Sequence, residues 1–335
     1  MGQIKVMSLN GQDMIDLIPK NLEIPSEDKA HYWRAKLLAA MIKDVNPDII
    51  GLVEAPPDES RTVTFVDHFL NGDYTVHHAE KRGSLGLAFL VRKSLNIKAA
   101  MRTKAQSLKD FKLDEFDTDN DGIKEKYSWW NRVPLEVEFS GGSLMAKTTF
   151  ILIHSKSKGA FIPGDLFAYE RLSKANRMKL RAQAIAVRKR LDQLVSADGR
   201  GRVFVLGDMN DGPEFDIHAA LLGGCFLEPL MGSVWDPARV FYNTHASFPI
   251  KDRWTIDFQD RVVNPMGRSR YGQPTELRSW IDHILVSPEL KNSVVPGTAG
   301  ILHKQPRVLG LPKKYKRELK RGTDHHPPYV TLDLR

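Results

Sequence analysis

Apolar runs of strand length recur along the chain, and most of them meet a polar residue at one end. Ile4 to Asn10, Asp48 to Glu54 and Phe150 to Lys156 read as strands. So does Val203 to Leu206, which runs into Gly207-Asp208-Met209-Asn210-Asp211. Near-continuous apolar segments of this length suit strands covered on both faces. Ser84 to Val91, Val133 to Phe139, Ser279 to Val286 and Tyr329 to Leu334 extend the set. Between them the apolar period changes. From Lys29 to Val45 the residues Trp33, Leu37, Leu38, Met41 and Ile42 fall on one helical stripe, which Asn46-Pro47 stops. From Leu172 to Leu191 apolar positions alternate with Lys174, Arg177, Lys179, Arg181, Arg188, Lys189 and Arg190, predicting a long amphipathic helix with a solvated basic face. This helix forms the crossover into the Val203 strand. Gly232 to Gln273, mixed in aromatic, proline and polar residues, reads as irregular surface loops. Strands interrupted by helices in this way predict an α/β fold of two packed sheets flanked by helices.

The polar residues at the strand ends are the candidate chemistry. They are Asn10, Glu54, His154, Asp208 and, at the start of its strand, Asp282. Gly322-Thr323-Asp324-His325-His326-Pro327 makes a polar turn before the last strand. In α/β sheets, ligand sites form outside one sheet edge from such tips. Strand alternation places Asp208 and Asn210 on the same side. A carboxylate and an amide there suit water activation beside a metal-bound phosphate. A lone carboxylate ending a buried strand, as Glu54 does, calls for a cation nearby. Oxygen-bearing ligands without a cysteine cluster point to magnesium, with manganese as a substitute.

Asn10, Glu54, Ile153-His154-Ser155, Gly207-Asp208-Met209-Asn210, Ile281-Asp282-His283 and Asp324-His325 occur in this order from the first strand to the last. In this the chain resembles the endonuclease/exonuclease/phosphatase superfamily of deoxyribonuclease I-like, metal-dependent phosphodiesterases. The resemblance implies a four-layered α/β sandwich of two packed mixed β-sheets flanked by helices. Residues 1–335 are expected to form a single catalytic domain, because the site draws on both ends of the chain. It further implies Glu54, Asn10 and Asp324 as metal residues. Asp208 would orient and deprotonate the attacking water, and Asn210 would fix the water or phosphate. His325 would contact the phosphate with Asp282 holding its ring, and His154 would be the second histidine there. Arg132 and Lys156 are candidates for positive charge on the phosphate or for ordinary surface residues. Two departures limit the likeness. Abasic-site enzymes carry an acidic residue where this chain has Gln12, which puts a second metal in doubt. Asp211-Gly212-Pro213 also differs from the aromatic and arginine-bearing pattern of the inositol phosphatase branch.

Charge narrows the substrate. The 335-residue chain has a net charge of +8, which favours a polyanionic partner such as nucleic acid; with the family resemblance, the expected partner is DNA. The run Lys313, Lys314, Lys316, Arg317 precedes Asp324-His325 and is either a phosphate contact or a solvated loop. Trp129-Trp130, Trp235 and Trp254 are weaker candidates for base stacking. A magnesium-dependent DNA nuclease is the leading reading. The alternatives are a hydrolase of a phospholipid head group, nucleotide or small phosphate ester, and a non-catalytic nucleic-acid-binding module. The single cysteine, Cys225, excludes an intramolecular disulfide framework. The N-terminus has no signal-peptide pattern and no run reaches membrane-span length, so a cytoplasmic protein is expected. One motif stands apart. Asp117-Thr118-Asp119-Asn120-Asp121-Gly122 has the carboxylate spacing and glycine of a calcium loop, with Glu125 at the ninth position. The twelfth is Ser128 instead of a bidentate glutamate, so a weak calcium site and a plain acidic turn both stay open.

Overall fold

The computed structural model describes residues 2–80, 83–119, 121–127, 130–142, 144–159, 166–213, 224–259, 276–319 and 321–334. In chain order the strands are β1 (Gln3–Asn10), β2 (Ile49–Ala55), β3 (Tyr74–His78), β4 (Gly86–Arg92) and β5 (Lys98–Met101). A short hairpin of β6 (Glu115–Phe116) and β7 (Glu125–Lys126) follows, then β8 (Leu135–Gly141), β9 (Leu144–His154) and β10 (Val203–Asp208). The remainder are β11 (Tyr242–Asn243), β12 (Ile256–Gln259), β13 (Glu276–Ser279), β14 (Asp282–Val286), β15 (Gly300–Ile301) and β16 (Pro328–Asp333).

Two mixed six-stranded sheets organise these strands, one in the order β15-β16-β1-β2-β4-β3 and the other β11-β14-β10-β9-β8-β5. They face each other across a dry core in which Val6, Val53 and Phe89 of one sheet meet Phe150, Phe204 and Ile284 of the other. Phe150 and Phe204 stack with centroids 4.4 Å apart. At Gly51 the sheets come so close that an added Cβ would lie 2.8 Å from Leu152 and Leu206. Helices cover the outer faces. Ala30–Val45 and Glu59–Phe69 lay Leu38, Ile42, Phe65 and Val66 on the first sheet. The long helix Leu166–Leu194 lays Leu180, Ala184, Val187 and Leu191 on the second. This is the four-layered arrangement expected. The first helix stops where the sequence indicates: Asn46, at φ 52, returns its N–H to Ile42 O, and Pro47 cannot continue the helix.

The basic face of the long helix is less solvated than its periodicity suggests. Arg190 is buried and forks onto Glu136 of β8, at 2.8 Å and 2.7 Å. Arg188 pairs with Asp192 and Lys174 with Asp119. The stretch read as irregular loops contains β11 and β12, and residues 260–273 of it lie outside the described residues.

Register decides which residues meet. β9 and β10 run parallel with His154 opposite Asp208, and β14 runs antiparallel to β10 with Asp208 opposite Asp282. The ends of β9 and β10 and the start of β14 therefore share one edge. In the other sheet β1 and β2 run parallel and end at Asn10 and Glu54–Ala55, while β16 enters antiparallel to β1 just after His325.

Candidate active site

The two edges lie together, and their tips converge on one buried cluster. Asn10, His154, Asp208, Asp282 and His325 are all buried, and Glu54 is partly open. The cluster crosses the gap between the sheets. Asn10 Nδ2 donates to Asp208 Oδ2 at 2.9 Å and to Glu54 Oε1 at 3.3 Å. His154 Nε2 lies 3.6 Å from both carboxylates. His325 Nδ1 meets Asp282 Oδ2 at 2.7 Å, and its Nε2 points back to within 4.0 Å of Asp208 Oδ2.

Local backbone geometry aims these groups. Glu54 has φ 57 and sits at a register shift between Val53 and Ala55, so its side chain leaves the pleat at the strand's end. Its Oε2 accepts the Asp13 N–H at 2.6 Å. Gly207, directly before Asp208, has φ 132, and a Cβ there would sit 1.9 Å from Ile153 O. Only glycine fits this approach of β10 to β9. Asn210 is positioned by a turn and not by strand alternation. β10 ends at Asp208, Asn210 has φ 51, and its N–H closes onto Asp208 Oδ1 at 2.8 Å. Its amide donates to Ser155 O at 3.1 Å.

The electrostatics follow from burial and crowding. Burial, with Asp282 and Glu54 nearby, pushes the Asp208 carboxyl up to about 7 against the pull of His325. Burial, with Arg132 and His325 adding positive charge, holds His154 well below its usual range, so it is neutral. Burial disfavours charge on His325 too, but the Asp282 carboxylate, bonded to Nδ1, outweighs it and raises this histidine to about 10. Among the described residues, Asp282 Oδ1, His154 Nδ1 and Arg132 Nε are buried with no hydrogen-bond partner.

The remaining predicted residues divide. Arg132 feels the charges of Glu54 and Asp208, and burial lowers its affinity for the proton. Lys156 is half-buried, with its N–H on Gln183 and its ammonium on Ser157 O. Asp324 is partly exposed beside His325, with Oδ1 3.9 Å from Nε2. Lys313, Lys314 and Lys316 are not drawn into the cluster. They are exposed on the short helix Lys313–Glu318, which Tyr315 ties to Asp28 O. The Arg317 side chain lies outside the described residues, as does Trp129. Trp130 is a core residue whose indole donates to Phe111 O at 2.6 Å. Trp254 already stacks on His303, with centroids 4.2 Å apart. Trp235 is 93% exposed.

Two supporting residues, Arg34 and Thr255, escaped the sequence pattern, and a third, Gln12, entered it only as a departure. Arg34, on the first helix, donates to the carbonyls of Gly11, Gln12 and Gly322, shaping the turn after Asn10. Gln12 Oε1 accepts the Asp324 N–H at 3.0 Å, so the residue that departs from the acidic pattern bridges the two chain ends. Thr255 Oγ1 accepts the N–H groups of Ile281 and Asp282, both at 3.0 Å, and so fixes the start of β14. A helix surface arginine and a loop threonine carry no periodic signal that marks them out.

Glu54, His154 and Asp208 offer ligand atoms within 4.8 Å of one another, as do Asp208, Asp282 and His325. Such a set can hold a cation, orient a water and place imidazole donors on an anion. Among the described residues no helix is long and apolar enough to cross a membrane.

Comparison with known proteins agrees with this architecture. A truncated Caenorhabditis elegans TDP2 is similar in fold, with a TM-score of 0.54 at 18% identity, over 99% of this chain and 98% of that one. A D. rerio TDP2 complexed with single strand DNA product gives 0.51 at 15% identity, over 98% of each chain. An endonuclease/exonuclease/phosphatase family protein from Bacteroides thetaiotaomicron gives 0.53 at 16%, over 98% and 97%. At these identities the likeness is one of fold. Among curated proteins none matches the chain by sequence. The model of the Endonuclease/Exonuclease/phosphatase family matches residues 32–325. With this match over most of its length, the chain belongs to that family of hydrolytic phosphoesterases.

Proposed function

We propose that this protein is a magnesium-dependent phosphodiesterase that hydrolyses DNA. The observation that carries the reading is the convergence of Asn10, Glu54, His154, Asp208, Asp282 and His325 on one buried cluster between two sheets. The donor set fits a divalent cation. Burial first, then Asp282 and to a lesser degree Glu54, raise the Asp208 carboxyl to about 7, and a cation beside it would favour its charged form. Glu54 would hold it, with Asn10 and Asp324 alongside. When bound, magnesium supplies charge neutralisation for the phosphate oxygens and the departing alkoxide.

The chain's own groups do the rest. Asp208 orients a water in line with the leaving oxygen and takes its proton as the new P–O bond forms and the old one breaks. Asn210, held by the turn on Asp208 Oδ1, positions that water or a phosphate oxygen. His325, fixed by Asp282, donates from Nε2 to the phosphate, and neutral His154 faces the same point. No covalent enzyme intermediate is required. The choice of DNA rests on the net charge of +8, and Asp211-Gly212-Pro213 departs from the inositol phosphatase pattern. The fold shared with a TDP2 solved with single strand DNA product supports it.

The test is a panel of supercoiled plasmid, single-stranded DNA, RNA and a lipid phosphodiester, each with magnesium and with chelator. We expect magnesium-dependent cleavage of DNA that Asp208→Ala lowers by about 10²–10⁴-fold while the fold persists. Turnover of the lipid alone would move the protein to the phospholipase side of the family. Undiminished cleavage by a folded Asp208→Ala would refute the assigned role.

A further inference from the structure

Glu54 holds a conformation that a residue with a side chain avoids. At φ 57 it lies in the left-handed region, at the register shift where β2 ends. Such backbone persists only where its surroundings hold it. On the near side the Gly11 N–H donates to Val53 O at 2.9 Å, and the carboxylate itself accepts from Asp13 and Asn10. The far side is held by a residue outside the catalytic cluster.

That residue is His78, at the end of β3. β4 lies between β3 and β2, so the ring must cross a strand to reach the exit of β2. It does so: Nε2 meets Pro56 O at 2.9 Å, and Nδ1 meets Ala79 O at 2.7 Å. The crossing is open because β4 has Gly86 opposite Ala55. A Cβ on Gly86 would lie 2.5 Å from Pro56 O and 2.7 Å from His78 Nε2. The imidazole is buried, which strengthens its hydrogen bonds. Both partners are carbonyl oxygens, which only accept. The proton on Nε2 is the one that grips Pro56, and a second on Nδ1 adds the tie to Ala79.

The grip reaches Glu54 through a stiff path. Pro56 and Pro57 have φ fixed by their rings, and Ala55 and Pro56, each preceding a proline, are confined to extended backbone. Between the anchored Pro56 O and the Glu54 carboxylate, conformational freedom is left mainly to Glu54 itself. A shift of Pro56 therefore moves the bulge and the carboxylate together.

We propose that His78 is a positioning residue for metal binding: by gripping Pro56 O across Gly86, it keeps Glu54 in the bulge that turns its carboxylate toward Asn10, His154 and Asp208. The proposal rests on Glu54 as the residue that holds the cation. Among the described residues no hydrogen bond or ion pair joins His78 to the cluster, so it acts through the backbone alone. Loss of an outer support of this kind weakens metal binding by about 10–100-fold.

The test is a titration with manganese chloride as the stand-in for magnesium, the unbound ion being counted by electron paramagnetic resonance. Thermal melting is recorded for each protein. Glu54→Gln should lose the manganese site. His78→Ala, which leaves Pro56 O without its donor, should bind about 10–100-fold more weakly. His78→Gln, whose amide N–H can take the place of Nε2–H, should recover most of that affinity. Gly86→Ala keeps the imidazole but drives it off Pro56 O, so it should bind as weakly as His78→Ala; it decides the matter if His78→Ala does not fold. Wild-type affinity in folded His78→Ala or Gly86→Ala, with the site lost in Glu54→Gln, would overturn the positioning role and leave that of Glu54 standing, even if melting temperatures fall. A His78→Gln no better than His78→Ala would also overturn it, because the donated hydrogen bond is the cause invoked. Full affinity in Glu54→Gln, or no manganese site in the wild-type chain, would overturn both roles.

Discussion

His283 adjoins Asp282 in sequence but faces away from the cluster. Its Nε2–H donates to Asp211 O at 2.9 Å, and its Nδ1 accepts from Asn243 Nδ2 at 3.1 Å. Asn243 Oδ1 is occupied by the His245 N–H, so the amide cannot turn to receive a proton from a charged ring. Burial depresses this histidine from 6.5 to about 4. Below pH 6.5 the unfolded chain takes up a proton that the folded chain refuses until about 4. Stability from this residue is therefore complete above pH 6.5 and is lost as pH falls towards 4, by on the order of 3 kcal/mol. Urea midpoints at pH 7.5, 5.5 and 4.5 should fall more steeply for the wild-type chain than for His283→Gln. Parallel slopes would show that His283 does not carry this term. The same contrast runs through the candidate site. Asp282, His325 and Asp208 could be recognised in sequence because each stands where an apolar run begins or ends. Arg34 and Thr255 could not, because what they hold is a backbone carbonyl or N–H distant in the chain. Trp130, open in sequence to stacking or to the more usual core packing, is core, since tryptophan in an aromatic loop reads the same way for either purpose.

At the scale of elements, the approach of β9 to β10 just before Asp208 sets the geometry of the site. Gly207→Ala would place a methyl group 1.9 Å from Ile153 O at a φ of 132 that alanine avoids. Either β10 shifts or the chain loses stability. We expect a loss of about 2–4 kcal/mol, read as a lowered denaturant midpoint, with activity falling further than the remaining folded fraction explains. A midpoint within error of wild type would mean that the strand pair relaxes freely. The strands themselves were legible, because long apolar runs of this kind have few alternatives. The turn at Asn210 and the bulge at Glu54 were not, because alternation predicts which face a residue takes only while the strand lasts. Nor was the Arg190–Glu136 pair legible: helical periodicity assigns an arginine to water when its partner lies on a distant strand.

At the scale of the whole molecule, charge and architecture act separately. If DNA is the substrate, the helix Lys313–Glu318 offers three exposed lysines near the chain end that carries His325. Replacing Lys313, Lys314 and Lys316 with alanine should shallow the salt dependence of DNA binding by about one unit of log–log slope for each lysine that contacts a phosphate. Cleavage at low salt should survive. An unchanged slope would leave this helix as a solvated surface. The division of the cluster between the sheets has a different consequence. One sheet brings Asn10, Glu54 and His325, and the other brings His154, Asp208 and Asp282. Neither half has a complete set of reacting groups, so during refolding catalytic competence should report on the docking of two surfaces and not on the growth of either. Activity should return in step with the burial of Phe150 and Phe204 and later than the circular dichroism signal. Until that moment the nascent chain, however much secondary structure it has gained, is chemically harmless to any phosphate ester it meets.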